Sequence, residues 1–180
     1  MQLTATTGTW LRRPGQATSW AQDMLCPGIA VVIAIAHPSN DGRGSGTWPD
    51  AADLAVLDTT SDVIAHGHAA DSGRIIRSVI EATTGRLLLA YDAAGVRSRL
   101  LAEAGRRGID PLHLEDPDRW RCVMQARSAA LGNPDHLYPL GVTPHNAAAA
   151  AAKVLDLIVD IAQQRCVLPP VPPRADRWPA

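Results

Sequence analysis

A chain of 180 residues with 46% hydrophobic content fits one domain with a core of ordinary size. Its formal net charge of −1 excludes a whole-molecule field that would draw in nucleic acid, so any such contact needs a local patch. The basic residues are almost all arginine, Lys153 being the only lysine, and many fall between Arg97 and Arg127; a solvated arginine-rich surface is the simpler reading of that run.

In chain order, residues 1–18 read as a polar, loosely organised N-terminal segment. A short helix is expected over residues 19–25, capped by Ser19, with Trp20 and Met24 on one side and Cys26-Pro27-Gly28 ending it. Residues 29–36 form a continuous apolar, β-branched run, which predicts a strand buried on both faces. A glycine- and serine-rich loop follows over residues 38–49. Residues 53–57 and 62–65 read as short strands around the turn Asp58-Thr59-Thr60-Ser61.

Helical spacing returns at Ile75, Ile76, Val79 and Ile80, and residues 87–91 read as a second buried strand. Residues 94–107 predict a helix with Leu100, Leu101 and Ala104 inward, stopping at Gly108. Residues 120–124 begin as a strand and pass into a helix ending near Gly132. The strongest helix spans residues 146–164, where alanines supply propensity and Val154, Leu155, Ile158 and Ile161 the buried stripe. The run Leu168-Pro169-Pro170-Val171-Pro172-Pro173 predicts extended polyproline in a tail over residues 167–180. Together these describe an α/β domain over residues 19–166, with helices on the faces of a mixed sheet.

Cys26, Cys122 and Cys166 form an odd set without CxxC or zinc-site spacing, which reads as reduced thiols in a cytoplasmic protein, two of them in or near the core. No run approaches the roughly 18 apolar residues of a membrane span. Arg12 and Arg13 with no apolar stretch after them do not make a secretory signal. No membrane partner is expected.

Three separated stretches carry a resemblance. They are Val31-Val32-Ile33-Ala34-Ile35-Ala36, Leu89-Ala90-Tyr91-Asp92-Ala93-Ala94-Gly95-Val96 and His145-Asn146-Ala147-Ala148-Ala149-Ala150-Ala151. With Trp120-Arg121-Cys122-Val123-Met124-Gln125-Ala126-Arg127-Ser128 and Leu140-Gly141 between them, their order resembles the DnaQ-like 3′–5′ exonuclease family over roughly residues 20–162. The resemblance implies a ribonuclease H-like fold, a mixed five-stranded sheet with helices on both faces. In that family four carboxylates hold two divalent ions about 4 Å apart, because Mg²⁺ wants anionic oxygen donors. A histidine beside the last acid acts as general base.

Carried over position by position, the first acid pair falls on Ala34 and Ala36. The second-motif acid falls on Val96, with Gly95 where phenylalanine is usual, and the last acid falls on Ala150. His145 survives, and Asp92 stands where the family often has asparagine. A methyl group cannot coordinate a metal ion, and a lone histidine cannot supply the charge neutralisation that phosphodiester cleavage requires. The arm that the family carries between hairpin and next helix is also reduced here, to residues 66–73, which removes part of a nucleic-acid groove wall.

These residues imply a catalytically inactive homologue that acts as a binding or assembly module, with no cofactor expected. A protein partner or self-association is favoured over nucleic acid, whose contacts, if retained, would fall on His37, Tyr91, Arg97 and His145. The alternatives are an active nuclease that uses Mg²⁺ or Mn²⁺ on displaced ligands, for instance Asp92, His37 and His145, and a structural subunit tethered by its proline-rich tail. Asp92 reads more simply as a helix cap. His66 and His68 share one face of an extended segment but have no evident carboxylate beside them, which favours plain solvent exposure.

Overall fold

The apolar run at the centre of the chain forms β1 (Ala30–Ala36), and its alternation decides the layering. Ala30, Val32, Ala34 and Ala36 point into one cluster, and Val31 and Ile33 into another, so the strand is covered from both sides as its composition requires. The computed structural model describes residues 11–36, 53–138, 140 and 146–166. β2 (Asp53–Asp58) and β3 (Val63–His68) add to one edge of β1 as antiparallel strands. β4 (Leu87–Ala90) and β5 (Trp120–Cys122) add to the other as parallel strands. The order β3-β2-β1-β4-β5 is a mixed five-stranded sheet, consistent with a ribonuclease H-like arrangement.

One face of the sheet is covered by α1 (Pro14–Met24), α4 (Val123–Ala130) and α5 (Ala147–Ala162). The other is covered by α2 (Ser72–Thr83) and α3 (Ala93–Arg106). In α5 the alanine run lets the helix approach the sheet closely, while Val154, Leu155, Ile158 and Ile161 fill the space farther along; all four are buried, as expected. α2 and α3 bury Ile75, Ile76 and Val79, and Leu100 and Ala104 respectively, with Leu101 only partly covered.

Two boundaries differ from expectation. α1 begins at Pro14, not Ser19, so residues 14–18 belong to a helix and not to a loose segment. Its start carries no side-chain cap; Pro14 in the first turn supplies the preset backbone angle instead. β3 continues past Ala65 to His68 because Gly67 closes on α2: a Cβ there would stand 3.2 Å from Ile75 Cδ1. Between α3 and β5 the chain makes two 3-10 turns, Leu112–Glu115 and Pro117–Arg119, and the Trp120 indole fixes them by donating to the Leu114 carbonyl at 3.0 Å. The hairpin turn is as expected, with Asp58 accepting from the Thr60 and Asp62 amides at 2.9 and 3.0 Å. The loop over residues 38–49 and the proline-rich tail lie outside the described residues.

Candidate functional site

β1 delivers Ala34 and Ala36 to the α5 face of the sheet, and the first turns of α5 bring Ala147, Ala150 and Ala151 against them. Ala34, Ala36 and Ala150 are 6%, 5% and 8% exposed and belong to one apolar cluster. Three of the four aligned acid positions therefore lie in one apolar cluster, as buried methyl groups. The fourth does not join them. Val96 packs against the cluster on the opposite face of the sheet, beside Leu100.

Asp92 is the side-chain cap of α3, its Oδ1 accepting from the Gly95 amide at 3.0 Å. Gly95 is tied to that role, because a Cβ on it would collide with Asp92 Oδ2. His37 and His145 lie outside the described residues, so the Asp92, His37 and His145 grouping has only Asp92 inside them. Asp58 and Asp62 sit in the hairpin turn; Asp58 pairs with Val31, at the opposite end of β1 from Ala36.

The two remaining candidate nucleic-acid contacts are occupied internally. The Tyr91 hydroxyl donates to the Tyr138 carbonyl and accepts from Arg127 Nη1 at 3.2 Å. Burial pushes the Tyr91 phenol above its ordinary range, against the opposing pull of the Arg127 guanidinium. Arg97 donates to the Glu115 carbonyl. The neighbouring arginines are similarly engaged: Arg106 and Arg107 with Glu103, Arg119 with Asp116, and Arg121 with the Asp118 carbonyl. The arginine run thus serves largely local contacts.

One carboxylate at this edge was not anticipated. Asp53 opens β2, lies in register with Ala36, and has a side chain only 9% exposed. Its Oδ2 accepts from the Ala147 amide at 2.9 Å, while Asn146 Oδ1 accepts from Ala149 at 2.7 Å. Two orphan donors at the start of α5 are thereby satisfied, and the negative charge faces the positive end of the helix dipole. His66 Nε2 and His68 Nδ1 stand 2.9 and 3.5 Å from Asp53 Oδ1. Both imidazoles are exposed, as expected, but a carboxylate does stand beside them, contrary to the sequence reading.

Among the described residues no group of three or more His, Cys, Asp or Glu could hold a metal ion. A depression of about 430 Å³ lined by Ile64, Ser78, Glu81, Ala82, Thr84 and Arg86 lies by α2, apart from the alanine cluster. The three cysteines are free thiols, Cys26 exposed and Cys122 and Cys166 half-buried. No helix among the described residues is long and apolar enough to cross a membrane. The class defined is thus an α/β protein with a mixed five-stranded sheet whose central strand ends in a methyl-lined floor. No family model, curated protein or solved structure matches the chain.

Proposed function

We propose that this chain is a catalytically inactive homologue of the DnaQ-like exonucleases that works as a binding or assembly module. The observation that supports this most is the joint burial of Ala34, Ala36 and Ala150. A two-metal centre needs carboxylates that are mutually repulsive without the ions. Small apolar residues at those positions remove that repulsion and close the hollow, which suits a molecule under selection for fold and surface but not for hydrolysis. A protein partner or a second copy of the chain fits better than nucleic acid, given the net charge of −1 and the internal engagement of Tyr91 and Arg97.

Incubating the purified full chain with single-stranded DNA or RNA and Mg²⁺ or Mn²⁺ should release no nucleotides. Metal-dependent trimming that survives stringent purification and is lost on His145→Ala overturns the proposal. A second reading, an active nuclease on displaced ligands, draws support from Asp53, a buried carboxylate across from Ala36. It requires hydrolysis that disappears on Asp53→Asn or Asp92→Ala.

A further inference from the structure

β3 closes the sheet on one side, and among the described residues no strand pairs with its outer edge. Such an edge presents a row of backbone donors and acceptors, which proteins blunt with lysine, proline or inward-pointing charge. The strand Val63-Ile64-Ala65-His66-Gly67-His68 contains no lysine, proline, aspartate or glutamate. Residues 65–68 pair with residues 53–56 of β2 in unbroken register, so this part of the edge is regular enough to template another strand.

The register changes at the other end of β3. Val56 pairs with Ala65 and Leu57 with Val63, which leaves Ile64 as the extra residue of a bulge. A bulge re-aims the side chain it carries. Ile64 lines the depression by α2 together with Ser78, Glu81, Ala82, Thr84 and Arg86. Val63 and Ile64 are 52% and 37% exposed, so both large apolar residues of the strand lie at the surface. An open edge beside a groove between strand and helix is the arrangement that accepts an added strand: main-chain bonds form along the edge and side chains enter the groove.

We propose that β3 pairs antiparallel with β3 of a second copy of this chain about a two-fold axis. The charges at the depression select this occupant. Its lining holds one acid, Glu81, and one base, Arg86, so the surface that complements it also holds one of each. The same surface turned about a two-fold meets that condition, with Glu81 of each copy facing Arg86 of the other. A strongly acidic or strongly basic peptide would set one of the two against a like charge. Antiparallel pairing also gives each strand the donors and acceptors that its twin lacks, and covers Ile64 of both copies. This pairing rests on the binding role proposed above and names its partner, while using no residue of the alanine floor.

Sedimentation velocity of the tag-free full chain over a concentration series, with hydrogen exchange of the β3 amides at both ends of the series, tests the pairing. A monomer–dimer equilibrium with a dissociation constant of about 100 µM or tighter is expected, and β3 exchange should slow as dimer forms. Ile64→Glu should weaken association at least tenfold. Glu81→Arg and Arg86→Glu should each weaken it, and the double swap should restore it. Ile64 and Glu81 are exposed and Arg86 partly so, which lets the variants fold, with circular dichroism as the check. A chain that stays monomeric at that concentration, a dimer whose β3 exchange does not change, an undiminished Ile64→Glu dimer, or a double swap no stronger than either single change overturns the pairing. A monomer that also releases no nucleotides would remove this surface alone and leave the loss of catalysis standing.

Discussion

Returning one carboxylate to the floor probes how closed it is. Ala150 is 8% exposed, packed in the cluster that contains Ala34 and Ala36. In Ala150→Asp the new group has no aligned carboxylate to share a metal with. Burial of this kind raises a carboxyl pKa by up to about 3–5 units, and each unit is worth about 1.36 kcal/mol. A shift of about 2–3 units therefore costs about 3–4 kcal/mol at neutral pH, with about 0.5 kcal/mol more for lower helix propensity. Against a total stability of about 5–15 kcal/mol for a domain, that is a large fraction.

The sign follows from linkage. A carboxyl whose folded pKa is raised destabilises most above that pKa, and the deficit shrinks as pH falls and the group takes up a proton. Urea unfolding of Ala150→Asp and of the uncharged Ala150→Asn at pH 7.5 and about pH 5 separates charge from size. The aspartate variant should be the less stable at the higher pH, with the gap between the two closing at the lower one. Mg²⁺ should restore nothing. A cost under about 1 kcal/mol, or recovery on adding Mg²⁺, would show an open, ion-competent hollow and refute the reasoning.

Gly95→Ala should gain nothing from helix propensity, because its Cβ displaces the Asp92 cap; in an Asp92→Ala background the same change should stabilise by about 1 kcal/mol, and denaturation of the four proteins reads that reversal. The Tyr91 phenol, raised by burial, should ionise after a free tyrosine in an ultraviolet titration of Tyr138→Phe, the variant that leaves Tyr91 as the only tyrosine. Its contribution to stability is complete below the unfolded tyrosine pKa and is lost as pH rises towards the folded value; a normal titration curve would contradict the internal role given to it. Burial pushes Glu103 upward, yet Ser72, Arg107 and Arg106 together hold it below its usual range, so its stabilisation is present above the unfolded glutamate pKa and lost as pH falls through the folded one. Glu103→Gln should flatten that acid limb, and an unchanged acid profile would count against the pairing.

Much of the architecture was legible because periodicity and burial share one cause. The β-branched run reads as a two-faced strand and is one over Ala30–Ala36, with Ile29 outside it and exposed, and the stripe Val154, Leu155, Ile158, Ile161 is the buried side of a helix. The start of α1 has no side-chain cap to mark it in the sequence; Pro14 sets the first turn through its ring. Asp53 was missed for a sharper reason. Counting outward from the hairpin turn pairs it with Gly67, but a register shift between Val56 and Leu57 moves its partner to His68. One residue of slip turns every side chain beyond it to the other face, and nothing in the sequence marks the bulge. At the floor itself, Ala34, Ala36 and Ala150 share one apolar cluster, whereas Val96 packs against the cluster on the other face, a placement that motif spacing along the chain does not specify.

Anomalous diffraction from crystals of the full chain soaked in Mn²⁺ tests the absence of a two-metal centre at the place where it matters. The account predicts no manganese peak at the end of β1 between Ala34, Ala36 and Ala150. A pair of peaks about 4 Å apart in that hollow, held by side chains from any part of the chain, would contradict it.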